Sequence, residues 1–234
     1  MKYNSGSKIK HEYDNTQANS NTVPFAIIEA YKAVRTNLMF ILSQSKSRVF
    51  EISSSLPGEG KSSCAVNLAI AFSQLGSKVL LIDADLRKPS IHRKLHLQNT
   101  NGLSSVLVDF CSFDEAVISV NENIDVMTSG PTPPNPSELL GSEKMAELLE
   151  RVKNNYEYII IDTPPINVVS DAVVLAPRTE GIVMVVQDRG TTHEQFKKAV
   201  SSLGFANAKL LGVILNSSAE KGKKYYSTKK MYQY

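Results

Sequence analysis

The sequence predicts an α/β fold, with a mostly parallel sheet covered by helices on both faces. Strand-like runs alternate with helical segments along the chain. Most of those runs are continuously apolar rather than alternating, the pattern of strands buried on both faces. A glycine-containing turn joins the first of them to a helix, the junction where open parallel sheets bind ligands.

Residues 1–24 are rich in Ser, Asn and Lys and read as a disordered arm. "FAIIEAYKAVRTNLMFIL" (25–42) reads as an amphipathic helix. "RVFEIS" (48–53) is the first strand, followed by a helix over 62–75 and the strand "KVLLID" (78–83). "NIDVMTS" (123–129) is the next strand. The helix over 142–154 leads to "YEYIIID" (156–162) and "GIVMVVQ" (181–187). A helix over 192–203 precedes the last strand, "KLLGVILN" (209–216). Strand, helix, strand at this spacing implies parallel pairing. "GPTPPNP" reads as a rigid loop. In "NPSELL" (135–140) Asn135 is placed as N-cap, Pro136 at the first helical position, and Glu138 as completing a capping box. Residues 217–234 form a polar, flexible tail. The division expected is therefore an arm (1–24), a domain (25–216) and a tail (217–234).

Composition narrows the function. A net charge of +3, with no basic stripe outside the tail, argues against nucleic acid as a partner. Cys64 and Cys111 are isolated, and no signal peptide is evident, which indicates a reducing, cytosolic setting. No apolar run approaches the ~20 residues needed to span a bilayer. A role at the membrane would come through a partner.

The chemistry lies at the strand ends. "SSSLPGEGKSS" (53–63) resembles a phosphate-cradling P-loop, with Gly60, Lys61 and Ser62 in the G-K-[ST] places. Pro57, Gly58, Glu59, Gly60, Lys61, Ser62 and Ser63 are the candidate nucleotide-binding residues. Backbone amides from Gly58 to Ser62 would wrap the phosphates, and the helix N-terminus adds its dipole. Lys61 would reach the β/γ oxygens and Ser62 would ligate Mg²⁺. The first motif position is Ser55 rather than Gly. "VLLIDADLR" (79–87) ends a buried strand with Asp83 and Asp85, and "YIIIDTPP" (158–165) ends another with Asp162, in the place of a Walker B acid. Three strand ends would thus converge on one metal–nucleotide site. His92 and His96, four apart in "RKPSIHRKLH", have the spacing of a zinc pair. They lack a third ligand, and a basic surface helix is the reading taken.

The motifs "SSLPGEGKS", "LLIDADLRKP" and "IIIDTPP", in this order, resemble the bacterial tyrosine kinases (BY-kinases) of capsule and exopolysaccharide synthesis. These are P-loop NTPases related to MinD and ParA. The resemblance covers residues 25–234, with "GLSSVL" (102–107), "SGPTPPNPSELLGS" (129–142) and the tyrosine-rich end as further marks. It is to the type in which the kinase is a separate cytosolic chain activated by the cytoplasmic segment of a membrane adaptor.

That resemblance implies ATP and Mg²⁺ as cofactors. It implies that Lys61 stabilises the transferred phosphoryl group and that Asp83 is the base for the tyrosine hydroxyl. Ser62 would coordinate Mg²⁺, with Asp85 and Asp162 binding it directly or through water. Asn216, by resemblance to related P-loop proteins, would contact adenine. Glu29, Lys32 and Arg35 in "EAYKAVR" match the family's oligomerisation pattern, with Lys32 where the pattern has an arginine and its bidentate fork. A solvated charged face is the other reading of those three.

The implied phosphoacceptors are Tyr225, Tyr226, Tyr232 and Tyr234, interleaved with lysines in "KKYYSTKKMYQY". From Asn216 the tail can extend at most about 60 Å, enough to reach a neighbouring subunit's site. Partners implied are the adaptor, neighbouring subunits of a ring-like homo-oligomer, and a cognate tyrosine phosphatase. The location implied is the cytoplasm, with recruitment to the inner face of the membrane.

Other readings stand beside this one. A MinD/ParA-type ATPase switch shares the motifs, but carries a lysine five residues before the P-loop lysine, where Leu56 stands here. An iron–sulfur assembly scaffold wants paired cysteines. A pure interaction module would have no need of Lys61, Ser62, Asp83, Asp85 and Asp162 together.

Overall fold

The chain's most apolar runs form the middle of one sheet in the computed structural model, which describes residues 25–216. β1 (Val49–Ser54), β2 (Val79–Asp83) and β5 (Tyr158–Asp162) are buried at every position, as strands covered on both faces must be. With β3 (Val117–Asn121), β4 (Ile124–Met127), β6 (Ile182–Gln187) and β7 (Leu210–Asn216) they make a seven-stranded sheet, ordered β3-β4-β2-β5-β1-β6-β7. Every neighbouring pair is parallel except β3 with β4. β3 was not among the expected strands. It is a half-exposed edge strand, and its mixed "VISVN" lacks the apolar run that marks the others.

The two-residue period of the strands sorts side chains between the layers. Phe50, Ile52, Leu81 and Ile160 point to one face. There they pack with Leu38 and Leu42 of α1 (Phe25–Leu42) and with Cys64, Leu68 and Phe72 of α2 (Lys61–Ser73). Leu80, Ile82, Ile159 and Ile161 point to the other, against Met145, Leu149 and Val152 of α7 (Glu143–Lys153). Further along that face Ile182 and Met184 meet Ala199 and Leu203 of α9 (His193–Phe205). The Phe72 ring stacks on Tyr158 at 4.0 Å between centroids. Truncating Phe72 to alanine would cost about 3–5 kcal/mol by the usual scale for buried aromatics.

Short helices fill the connections: α3 (Ile91–Lys94), α4 (Leu103–Leu107), α5 (Phe113–Ala116), α6 (Pro136–Leu140) and α8 (Asp171–Leu175). α6 starts as expected, with Asn135 as N-cap and Pro136 in its first turn, but the capping box does not form. The Asn135 side-chain amide instead donates to Glu138 Oε2 at 2.6 Å, so neither side chain serves the backbone. Thr192 and Gln195 do make a reciprocal box at the start of α9. The expected basic helix carrying both histidines is also corrected: α3 ends at Lys94, and His96 lies beyond it with φ 54°.

This topology brings the carboxyl ends of β1, β2 and β5 side by side, where the P-loop, Asp83 and Asp162 stand. The arm, and the tail with Tyr225, Tyr226, Tyr232 and Tyr234, lie outside the described residues. Among the described residues no helix is long and apolar enough to cross a membrane.

Candidate active site

The turn between β1 and α2 is built on two left-handed glycines, Gly58 (φ 87°) and Gly60 (φ 95°). At Gly60 a Cβ would also lie 2.2 Å from Nδ2 of Asn216, so a side chain there would strain the backbone and displace Asn216. Asn216, at the end of β7, donates from that nitrogen to the Glu59 carbonyl at 2.9 Å. Inside the turn, Glu59 Oε2 accepts the Leu56 amide at 2.9 Å, and Ser54 donates to the Leu56 carbonyl at 2.8 Å. The other Glu59 oxygen accepts the Thr191 hydroxyl. Ser55, in the place of the usual first glycine, is buried, and its hydroxyl has no partner. No side chain caps α2. Its first-turn amides and its dipole are left to an anion.

Lys61 opens α2 and reaches into the acids. Its Nζ lies 2.9 Å from Asp85 Oδ2, 3.4 Å from each oxygen of Asp162, and 3.2 Å from Ser62 Oγ. Burial works against the ammonium, but Asp162 and Asp85 outweigh it, and the Lys61 pKa ends above its ordinary value. Asp162 is fully buried. Burial pushes its carboxyl above the usual range, against the pull of Lys61 and the Ser62 hydrogen bond.

Asp83 is fully buried too, and its carboxylate is occupied by backbone. Oδ2 accepts the amides of Ser90 and Ile91, each at 3.0 Å, and Oδ1 accepts the Asp85 amide at 3.2 Å. Burial, then the charge of Asp162, raises its pKa to about 7, while the Ile91 amide and Lys61 hold it down.

Lys61, Ser62 and Asp85 border a cleft of about 430 Å³. The P-loop forms its floor. Asp85, Arg87, Lys88 and Lys94 line one side, and Pro164, Pro165 and Val168 the other. Of the expected site residues, Pro57, Gly58, Gly60, Lys61, Ser62, Ser63 and Asp85 line it directly. Asp162 is reached through Lys61. Glu59 and Asn216 brace the floor, and Asp83 stands behind the wall.

Sequence reasoning missed what holds the Asp85 loop. Arg87 makes a bidentate pair with buried Asp171 of α8, at 2.9 and 3.1 Å, and bonds Ser137 of α6 at 3.1 Å. Lys94 donates to Ser63 at 2.8 Å, joining α3 to the P-loop. Arg87 sits within a quoted motif, but nothing local marks Asp171 as its partner.

The charges of α1 are largely used within the chain. Lys32 pairs with Glu29 at 2.8 Å, and Arg35 donates to the Ala71 carbonyl of α2 at 2.6 Å. The three do not form a free row.

The donor set suits a nucleotide with Mg²⁺. Ser62, Asp85 and Asp162 already surround one cation, the Lys61 ammonium, with hard oxygen atoms. Among the described residues no group of three or more His, Cys, Asp or Glu is arranged for a metal. Mg²⁺ commonly takes only one or two carboxylates and completes its shell with phosphate and water.

The family described as an AAA domain matches residues 47–189. The chain is 46% identical over 207 residues to the tyrosine-protein kinase YwqD of Bacillus subtilis, covering 86% of each. It is 35% identical over 194 residues to the tyrosine-protein kinase CpsD of Streptococcus agalactiae serotype Ia, covering 82% of this chain and 83% of that protein. The kinase domain of the Escherichia coli tyrosine kinase ETK superposes with a TM-score of 0.80 at 33% identity, covering 88% of this chain and 80% of that one.

Proposed function

The chain belongs to the bacterial tyrosine kinases, and from that premise we propose that it transfers the γ-phosphoryl group of ATP to tyrosines of its own C-terminal cluster. The observation that carries the reading is Lys61, held among Asp85, Asp162 and Ser62 at the uncapped start of α2. A lysine stored on acids beside a helix N-terminus is ready to exchange those acids for phosphate oxygens.

On this reading the P-loop amides and the α2 dipole hold the β- and γ-phosphates. Ser62, Asp85 and Asp162 would hold Mg²⁺, which offsets charge on the phosphates. Lys61, released from the acids, stabilises the transferred group, and transfer is mainly positioning and electrostatics. Asn216, at the end of β7 with its side-chain nitrogen against Gly60, is assigned the adenine contact. The acceptor proton is assigned to Asp83, whose pKa near 7 suits a base working around neutrality. Three backbone amides close Asp83 off in this structure, so Asp85, which lines the cleft, is the second reading for that role.

The acceptors are Tyr225, Tyr226, Tyr232 and Tyr234, presented to a neighbouring subunit. A cytoplasmic segment of a membrane adaptor activates the kinase and recruits it to the membrane, a ring-like homo-oligomer brings tails to sites, and a cognate tyrosine phosphatase resets them. Each phosphate adds about −1.5 to −2 of charge, which turns a basic tail acidic and drives it off the site. The role that follows is control of capsule or exopolysaccharide synthesis.

Mixing two inactive chains tests this. One carries Lys61→Met with the tail intact. The other keeps Lys61 but has all four tail tyrosines changed to phenylalanine. Phosphotyrosine on the Lys61→Met chain in the mixture is the expected result. An unlabelled mixture, where wild type labels, would confine transfer to one chain.

A further inference from the structure

Glu59 stands inside the nucleotide loop, yet its side chain turns away from the cleft and is buried. It ties the loop at both ends: Oε2 takes the Leu56 amide before the turn, and its own carbonyl takes the Asn216 amide from β7. The remaining oxygen takes the hydroxyl of Thr191, which lies between β6 and α9 and belongs to none of the motifs. The Thr191 hydroxyl is used in both roles. Its oxygen already accepts the Gln187 amide at 2.9 Å, which leaves its proton for the carboxylate. The Thr191 backbone is itself pinned, its amide donating to the Gln187 carbonyl at 3.0 Å.

We propose that Thr191 is a positioning residue for nucleotide binding, which acts through Glu59 to hold the P-loop in the shape that receives phosphate. The unbraced loop would keep its sequence and its glycines but would sample closed shapes, because Gly58 and Gly60 leave its backbone permissive. Prior bracing lowers the ordering cost of binding. Thr191 then belongs to the energetics of the site without touching the nucleotide. The proposal rests on the nucleotide reading of the cleft but not on tyrosine as the acceptor.

The test is titration of the full-length protein with a fluorescent ADP analogue and Mg²⁺, for wild type, Thr191→Val, Thr191→Ser and Glu59→Gln. Thr191→Val keeps the shape and removes the hydroxyl. Weaker binding by about tenfold is expected, the scale of one charge-assisted hydrogen bond. Glu59→Gln should weaken it similarly, because an amide nitrogen cannot accept. Thr191→Ser should stay within about twofold of wild type by keeping the donor. Where activity is measured, the KM for ATP should rise and kcat at saturation should hold, a split that general destabilisation does not produce. Wild-type affinity in Thr191→Val, or equal loss in Thr191→Ser, would overturn the proposal. Wild-type nucleotide binding without tyrosine labelling would instead count against the kinase reading and leave this one standing.

Discussion

Asp83 and Asp162 are register partners across β2 and β5, two fully buried carboxyls side by side at the ends of adjacent strands. Burial and this proximity keep the Asp83 pKa near 7, against an ordinary value of 3.8. A carboxyl that holds its proton better in the folded state stabilises the fold while protonated. That contribution is full below the unfolded pKa and is lost as pH rises through the folded one. The protein without nucleotide or Mg²⁺ should therefore lose thermal stability between about pH 4 and about pH 7 from this group. Asp83→Asn should flatten that slope, as read by melting temperatures across the range. An unchanged slope would mean that Asp83 does not carry the proton.

Lys61→Met should leave the fold in place and lower phosphoryl transfer by at least about a hundredfold, the scale for one lost electrostatic stabiliser. It also strands Asp85 and Asp162 without their cation, so the carboxyl of Asp162 should rise further. Near-normal labelling in a variant with native circular dichroism would overturn the site assignment.

Arg87→Ala removes a bidentate partner from buried Asp171 and frees the loop that carries Asp85. The Arg87 side chain is 39% exposed, which screens the pair. A loss of about 1–2 kcal/mol in urea unfolding is expected, softened because Ser137 still bonds Asp171. Transfer should fall further than stability alone predicts. Arg87→Lys should not restore it, since lysine lacks the fork.

On α1 the structure separates two effects that the spacing of Glu29, Lys32 and Arg35 joins. Arg35→Ala should destabilise the protomer by losing the Ala71 carbonyl bond, whatever the assembly state. Glu29→Ala with Lys32→Ala removes only an exposed pair. A lower mass by light scattering for that double variant would place the pair at a subunit contact, and an unchanged mass would return it to a solvated face.

The core of the fold was legible because it rests on short-range signals. Continuous apolar runs gave β2, β5 and β6, and the glycine turn with its lysine placed the loop at the head of α2. β3 escaped because an edge strand needs no apolar run. The half-formed cap at Asn135 escaped because sequence names the residue but not which way its amide turns. Motif residues that line the cleft could be named from the sequence, and the distant residues that contact the motifs could not. Asp171 lies 84 positions from Arg87 and Thr191 132 from Glu59. A lone Asp or Thr carries no sign of such a partner. Asp83 shows the reverse limit: its motif was plain, but the three amides that close around it depend on how the chain turns toward α3.

The most direct measurement of the central claim follows the γ-phosphate of labelled ATP with Mg²⁺, with and without the cytoplasmic segment of the proposed adaptor. Label on tyrosine of the wild-type chain, absent when Tyr225, Tyr226, Tyr232 and Tyr234 are all phenylalanine, is the predicted result. Label appearing only as free phosphate, with the tyrosines unmodified, would make the protein an ATPase switch and contradict the account.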